Sequence, residues 1–140
     1  MDTVKRSRKP NKYRNKKITI DGIEFASKAE AAYYNQLKIL KKAGEIKDFE
    51  MQVKFTLMER FYHPAKTRKS GEPSVVGAIT YTPDFIVEEN DGSKHVIDVK
   101  GHRTPIFNLK AKLFMKRYNV PLILAKRVGT SGFNFKHTEL

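Results

Sequence analysis

Cysteine is absent from the 140-residue sequence, which excludes a disulfide framework, a thiolate zinc site and a cysteine nucleophile. The four histidines, His63, His95, His102 and His137, lie 32, 7 and 35 positions apart. None of these gaps is the short helical spacing of a histidine metal motif. Any metal bound by this chain is therefore expected to have oxygen ligands.

Long apolar runs are also missing, since the longest clean one extends only from Val120 to Ala125. This is far below a membrane span, and no apolar stretch follows the basic N-terminal segment as a signal peptide would require. Hydrophobic residues make up 39% and charged residues 31% of the sequence, a globular balance. We expect one soluble domain of the intracellular type, with no membrane partner.

Acidic residues are scarce relative to basic ones, with 15 Asp and Glu against 28 Lys and Arg, a net charge of +13. Residues 1–17 hold eight basic residues and one acidic residue, so the rest of the chain remains basic without them. Such a charge favours a nucleic acid partner, although the segment could instead be a solubilising tail or a nuclear-type signal. The residues of this arm that we expect to contact DNA are Lys5, Arg6, Arg8, Lys9, Lys12 and Arg14.

The chain divides into a flexible basic arm (1–17), a folded domain (18–126) and a peripheral tail rich in Gly, Ser and polar residues (127–140). The domain opens with a hairpin around Asp21-Gly22. A helix is predicted from Ser27 to Ala43, where Ser27 and Glu30 form a capping-box pattern.

The remaining pattern predicts strands, one further helix and a long connection. We expect a strand from Phe49 to Leu57, a mobile loop or extended hairpin tip over 59–74, strands over 76–88 and 94–100, a helix from Thr104 to Tyr118, and a strand from Val120 to Lys126. The order of hairpin, α, β, β, β, α, β predicts an α/β domain whose mixed central sheet is flanked by helices.

The tripeptide Asn90-Asp91-Gly92 sets the register of the hairpin between the strands over 76–88 and 94–100. In a three-residue loop the glycine occupies the left-handed position, and facing residues then have numbers that sum to 182. Glu88 then faces Lys94, a favourable pair of opposite charges, and Asp84 faces Asp98.

Two opposed carboxylates destabilise a hairpin unless something neutralises them. Lys100 emerges on the same face as Asp98 and offsets part of this charge, whereas Mg²⁺ or Mn²⁺ would offset it fully. Three alternatives remain open. A two-residue loop would place Asp84 opposite Val99, Asp84 could cap the strand entry, or Asp98 and Lys100 could be a surface pair.

Four motifs carry a resemblance to a known superfamily. They are Ser27-Lys28-Ala29-Glu30-Ala31, Tyr81-Thr82-Pro83-Asp84-Phe85, Ile97-Asp98-Val99-Lys100-Gly101 and Phe107-Asn108-Leu109-Lys110. In this order, residues 18–126 resemble the PD-(D/E)XK nuclease superfamily, and more narrowly a phage-encoded group likened to Holliday-junction resolvases. The resemblance implies a restriction-endonuclease-like αβββαβ core.

The resemblance also implies roles for the matching residues. Asp84 and Asp98 would hold Mg²⁺ (or Mn²⁺ as a substitute), with the Val99 carbonyl as a further ligand. Lys100 would position or help deprotonate the attacking water. Glu30 matches an extra acid found in several junction resolvases, and its alternative role is the helix cap.

We therefore expect a metal-dependent endonuclease selective for branched DNA, a phage Holliday-junction resolvase that acts as a homodimer in the cytoplasm of a bacterial host. The alternatives are a flap, transposition-type or restriction-like nuclease of the same superfamily, or a basic DNA-binding module without cleavage.

Gln52 could line the site or lie on a solvated face. Further phosphate contacts, or simply a solvated helix face, are expected at Arg103, Lys110, Lys116 and Arg117.

Overall fold

The computed structural model describes residues 17–129 and 134–140. Its elements in chain order are β1 (Ile18–Ile20), β2 (Ile23–Phe25), α1 (Lys28–Lys42), β3 (Asp48–Met51), β4 (Phe55–Met58), β5 (Phe61–Thr67), β6 (Pro73–Val76), β7 (Ile79–Tyr81), β8 (Phe85–Glu88), β9 (Lys94–Val99), α2 (Pro105–Tyr118), β10 (Leu122–Arg127) and β11 (Phe135–Glu139).

A five-stranded mixed sheet forms the centre of the molecule, with strand order β11-β10-β9-β8-β3. β9 and β10 are parallel and α2 connects them, whereas the other neighbours are antiparallel. The predicted α/β fold with a mixed sheet and a preceding hairpin, β1–β2, is confirmed. In the described ranges, neither helix is long and apolar enough to cross a membrane.

Local capping signals fix both helices. The Ser27 Oγ accepts a hydrogen bond from the Glu30 N–H (3.1 Å), and the Thr104 Oγ1 accepts one from the Phe107 N–H (3.1 Å). Pro105 occupies the first turn of α2, where its missing N–H costs nothing. The helix starts therefore lie where the sequence predicted them.

The two faces of the sheet carry separate apolar clusters, each covered by one helix. Side chains alternate between the faces along each strand. In β8 and β9, Phe85 and Ile97 pack towards α1, whereas Ile86 and Val96 pack with α2. Asp98 lies between Ile97 and Val99, so it belongs to the α2 face.

The predicted single strand from Phe49 to Leu57 is wrong, because the chain breaks at Gln52, which has φ +55°. β3 ends before this residue and β4 begins after it in a separate two-stranded sheet with β7. Phe49 consequently packs on the α1 side, whereas Phe55 packs on the α2 side. The left-handed backbone at Gln52 moves the apolar stripe from the cluster that α1 covers to the cluster that α2 covers.

The predicted strand over 76–88 is also interrupted and forms parts of β6, β7 and β8. Pro83, which lacks an N–H for strand pairing, lies in the second interruption. Residues 59–74 were predicted to be a mobile loop or an extended hairpin tip, and the second alternative is confirmed, because β5 pairs with β6 in an antiparallel hairpin. The central sheet also includes β11, beyond residue 126, where we expected the folded domain to end.

The register of β8 and β9 is the predicted one, with Phe85 opposite Ile97 and Glu88 opposite Lys94. Gly92 has φ +86° and its N–H donates to the Glu89 carbonyl (3.0 Å), as the three-residue loop requires. The charge pair differs from the expectation, because Glu88 Oε1 lies 3.1 Å from Lys47 Nζ. The turn therefore determines the register without an ion pair between Glu88 and Lys94.

Candidate active site

Asp84 and Asp98 meet at the end of the sheet where β8 begins and β9 ends. The last paired residues are Phe85 and Ile97, and continuing the same register by one residue places Asp84 opposite Asp98. The two carboxyl groups are close enough for Asp98 to raise the pKa of Asp84. Asp98 is 3% exposed, and Asp84 is half-buried. The described fold thus brings together the two acids that the sequence predicted as metal ligands.

Three neighbouring residues hold these carboxylates in place. The Val99 N–H donates to Asp84 Oδ2 (2.8 Å), and the Tyr81 hydroxyl donates to Asp98 Oδ2 in a short hydrogen bond. Gln52 contacts Asp84 twice, through Nε2 to Oδ1 (3.5 Å) and through its N–H to the Asp84 carbonyl (3.3 Å). Such outer contacts orient carboxylate ligands towards a metal.

Lys100 places its ammonium group beside the acid pair. Its Nζ lies 3.5 Å from Asp98 Oδ1 and 4.8 Å from the centre of the Phe107 ring on α2. The cation–π contact restrains the flexible lysine side chain, while about a third of that side chain remains exposed. The group is therefore fixed near the carboxylates and still open to a ligand.

The electrostatics of the pair favour a bound proton or cation. Burial, followed by the hydrogen bond and charge of Asp98, raises the pKa of Asp84, and the Glu30 charge adds to this effect. Burial and the Asp98 charge likewise raise the pKa of the Tyr81 hydroxyl, so it stays protonated and donates. Without a metal, the pair retains a proton at a pH where isolated carboxyl groups have lost theirs.

Glu30 lies in the first turn of α1, within electrostatic range of the pair. Burial and the Asp98 charge raise the pKa of Glu30, whereas the Ala26 N–H and the Lys100 charge partly lower it. Glu30 therefore takes part in the helix cap and also senses the charges of Asp98 and Lys100. Across 17–129 and 134–140, however, no three His, Asp or Glu side chains are gathered into a metal-binding group.

The residues at this site fit a hard divalent cation. Mg²⁺ is typically held by one or two carboxylates, with water and substrate phosphate completing the coordination. Asp84 and Asp98 supply the carboxylates, and the proton retained by the pair marks where a cation would relieve repulsion. Val99 follows Asp98 and donates its N–H to Asp84, so its backbone lies beside both acids. A third protein carboxylate is not required.

The basic residues expected near the cleft fall into different environments. Arg103 Nε donates to Asn108 Oδ1 (2.9 Å), and Arg117 pairs with Glu59 (2.7 Å). Lys110 is half-buried and Lys116 is exposed. The arm residues proposed to bind DNA, Lys5, Arg6, Arg8, Lys9, Lys12 and Arg14, lie outside the described residues. The phosphate-contact role of each of these residues stays a prediction.

Sequence reasoning did not assign roles to Tyr81 and Phe107, although both belong to the motifs that carry the resemblance. Tyr81 lies three positions before Asp84, yet its hydroxyl reaches Asp98, 17 positions away. Phe107 is seven residues after Lys100 and contacts it across the α2 N-terminus. Both contacts join different elements of the fold, so no local sequence pattern indicated them.

The fold and the site define an α/β protein with a buried and a half-buried carboxyl group and a lysine at one end of a mixed sheet. Residues 10–128 match the model of the DUF1064 family, described as a protein of unknown function, and the chain belongs to this family. No curated protein matches the sequence.

Glu30→Gln distinguishes a role in metal chemistry from a purely structural one. The amide keeps a hydrogen-bond acceptor for the helix start but removes the charge. If the site cleaves DNA with a metal, as the resemblance implies, we expect cleavage to fall about 10- to 100-fold, as when supporting groups of a metal site are changed, with the melting temperature nearly unchanged. Glu45→Gln, at an exposed position after α1, is the matched control. Full cleavage by Glu30→Gln would make Glu30 a cap only.

Proposed function

We propose that this protein is a metal-dependent endonuclease that hydrolyses phosphodiester bonds in DNA. The observation that carries the proposal is the carboxyl pair of Asp84 and Asp98 with Lys100 Nζ 3.5 Å from Asp98. Two facing carboxyl groups at a buried strand end reduce stability unless a ligand neutralises them. A catalytic metal site accounts for that arrangement.

Each group at the site has a part in this chemistry. A bound Mg²⁺, or Mn²⁺ in its place, would polarise water and shield phosphate charge. Asp84, Asp98 and the Val99 carbonyl would hold it, while Tyr81 orients Asp98 through its hydroxyl. Lys100 would stabilise the charge that develops on the phosphate or help to deprotonate water.

DNA is the proposed substrate because the chain is strongly basic and its four motifs resemble those of DNA nucleases. The net charge of +13 attracts a polyanion, and seven basic residues lie within 2–16. Arg103, Lys110, Lys116 and Arg117 would add phosphate contacts around the cleft. These contacts position a DNA backbone without selecting a sequence.

We further propose that the substrate is a four-way junction and that the protein acts as a homodimer. The support is the resemblance of the four motifs to phage-encoded junction resolvases, which also implies the cytoplasm of a bacterial host as the place of action. A junction has two strands to cut across a two-fold axis, which a symmetric dimer matches. Shape selectivity agrees with the absence from the sequence of recognition-helix or zinc-finger motifs.

The direct test is incubation with labelled four-way junction, flap and linear duplex DNA in Mg²⁺, Mn²⁺ or EDTA. We expect symmetric cuts in the junction with either metal and none in EDTA. Preferential cleavage of flap or linear DNA would favour another nuclease of this superfamily. Binding without cleavage under every metal condition would favour a non-catalytic DNA-binding module.

The basic arm gives a separate prediction about affinity. Deleting residues 2–16 keeps Lys17, whose Nζ lies 3.0 Å from Glu24 Oε1. If the arm makes about three to five phosphate contacts, the slope of log affinity against log salt should flatten by about three to four units. Junction and duplex affinities should fall together, and cleavage at saturating enzyme should survive. An unchanged slope would assign the arm to solubility or a protein partner.

A further inference from the structure

A two-stranded ribbon extends from the candidate active site. β4 and β7 pair first, and beyond them β5 and β6 form what we call the outer hairpin (Phe61–Thr67 and Pro73–Val76). At its base, Tyr81 in β7 donates to Asp98. Val75 lies six residues before Tyr81, so at 3.3 Å per residue the chain places it at most about 20 Å from Tyr81.

The outer hairpin exposes aromatic surface that the fold does not use. Tyr62 is 63% exposed and Phe61 is 45% exposed. Neither strand contributes a residue to the two apolar clusters of the described chain. Packing in the core therefore does not account for these side chains.

Positive charge surrounds this aromatic surface. Residues 60–76 include one acid, Glu72, and four cations, and among the described residues none of the four has a carboxylate within 4.0 Å: Arg60, Lys66, Arg68 and Lys69. A hollow of about 420 Å³ on the hairpin is lined by Arg60, Tyr62, Arg68, Glu72, Pro73 and Val75. Its volume suits one small organic group such as a nucleotide.

We propose that Arg60, Tyr62 and Arg68 bind an unpaired nucleotide at the branch point of DNA, with its base stacked on Tyr62 and its phosphates on the two arginines. The inference rests on DNA being the substrate of the proposed function. Base–aromatic stacking beside cations is how single-stranded DNA is held, and Arg matches phosphate geometry. All bases of a four-way junction are paired, so the bound nucleotide is one that leaves its pair at the crossover, where continuous stacking is interrupted. Bases inside a linear duplex are stacked on both sides and present no free face, so this contact favours branched over linear DNA.

A second copy of the chain fits this surface less well. In a two-fold dimer the same patch would face itself, bringing the cations of both copies together. Lys66 and Lys69 would then meet like charges with only Glu72 to offset them. Nucleic acid supplies the opposite charge and the planar ring that the hollow lacks.

The test measures binding in EDTA, where no cleavage occurs, to labelled single-stranded DNA, a four-way junction and a linear duplex. Tyr62→Ala should weaken binding to single strands and the junction about 5- to 100-fold, the effect of losing one stacked base, and leave duplex binding unchanged. Tyr62→Phe keeps the ring and should bind within about twofold of the wild type. Ile39→Ala, 56% exposed on α1, controls for loss of surface apolar area.

Two variants that each remove one positive charge distinguish a specific phosphate contact of Arg60 from general electrostatic attraction of DNA. Arg60→Gln should lower affinity for single strands and the junction and reduce the salt slope by about one unit. Lys42→Gln, at the exposed end of α1, should change both quantities less. An abasic nucleotide at the contacted branch position should remove the difference between wild type and Tyr62→Ala, because the ring then has no base to stack on.

Three results would overturn the inference. They are wild-type binding of Tyr62→Ala to single strands and junctions, an equal loss on linear duplex, and loss of a dimer in Tyr62→Ala with DNA affinity intact. The second would place the ribbon in a duplex groove, and the third would make it an interface between copies. Binding is measured without metal, so it does not depend on cleavage. A negative binding result would overturn the nucleotide site and would not count against nuclease activity. A protein that does not cleave DNA could still show the predicted binding.

Discussion

Asp98→Asn is expected to abolish metal-dependent junction cleavage while the protein still binds the junction. The substitution removes one of two carboxylates proposed to hold the metal, and we expect turnover to fall by about three orders of magnitude or more. Asparagine still accepts a hydrogen bond from the Tyr81 hydroxyl, so the local structure should persist. Loss of one negative charge should leave affinity for DNA equal or higher.

The same variant should be more stable than the wild type in EDTA. At a pH above the raised pKa of Asp84, where both carboxyl groups are charged, removing one of them relieves repulsion of about 1–3 kcal/mol, a rise in melting temperature of about 3–10 °C. Added Mg²⁺ should stabilise the wild type more than the variant, because only the wild type has both carboxylates. Stability and activity therefore move in opposite directions.

The gain in stability should also depend on pH. The folded-state pKa of Asp84 is raised by burial and by Asp98, so the folded metal-free protein holds a proton that the unfolded chain releases above about pH 4. Wild-type stability should therefore fall as the pH rises through the raised pKa. Asp98→Asn lowers this penalty, so its advantage in melting temperature should grow between about pH 4 and the raised pKa of about 8, and level off above it.

Asp91→Asn is the matched control, since it makes the same chemical change at the opposite, exposed end of the β8–β9 hairpin. Its cleavage rate should equal that of the wild type. Normal cleavage by Asp98→Asn, or wild-type activity undiminished in EDTA, would rule out the metal assignment. A lower melting temperature of Asp98→Asn in EDTA would show that the pair is stabilising and is not a source of repulsion.

Features encoded by neighbouring residues were predictable from the sequence. Ser27 and Thr104 cap helices through residues three positions away, and Gly92 determines a register through the turn that contains it. These contacts are local, so the sequence pattern contains all the information that they need. The facing of Asp84 and Asp98 follows from that turn alone, which is why the main part of the site was predictable.

Features that depend on distant contacts were not predictable. Gln52 occupies an alternating apolar pattern that predicts a continuous strand, yet a left-handed backbone breaks it where its N–H reaches the Asp84 carbonyl. Tyr81 reaches Asp98 because β7 has left the central sheet to pair with β4. The strand break and the Tyr81 contact both depend on which strands share a sheet, so the periodicity of apolar residues in the sequence does not reveal them.

Lys100→Ala is expected to reduce turnover about 10²- to 10⁴-fold, the usual contribution of a positioned group in acid–base or charge stabilisation. Metal binding should remain measurable because an ammonium group has no lone pair to donate to a metal. Loss of the cation beside Asp98 leaves the carboxylates less neutralised, so stability in EDTA should fall slightly while Mg²⁺ restores it.

Lys94→Ala provides the comparison within the same strand. Lys94 is exposed at the far end of β9, and Glu88 opposite it pairs instead with Lys47, so the substitution should change stability by at most about 0.5 kcal/mol and activity little. Cleavage kinetics and metal titrations of both variants show whether Lys100 acts in the chemical step or only adds positive charge. Equal losses of activity would mean that positive charge anywhere on β9 serves DNA binding. Selective loss in Lys100→Ala, with DNA affinity retained, would assign its ammonium group to the chemical step.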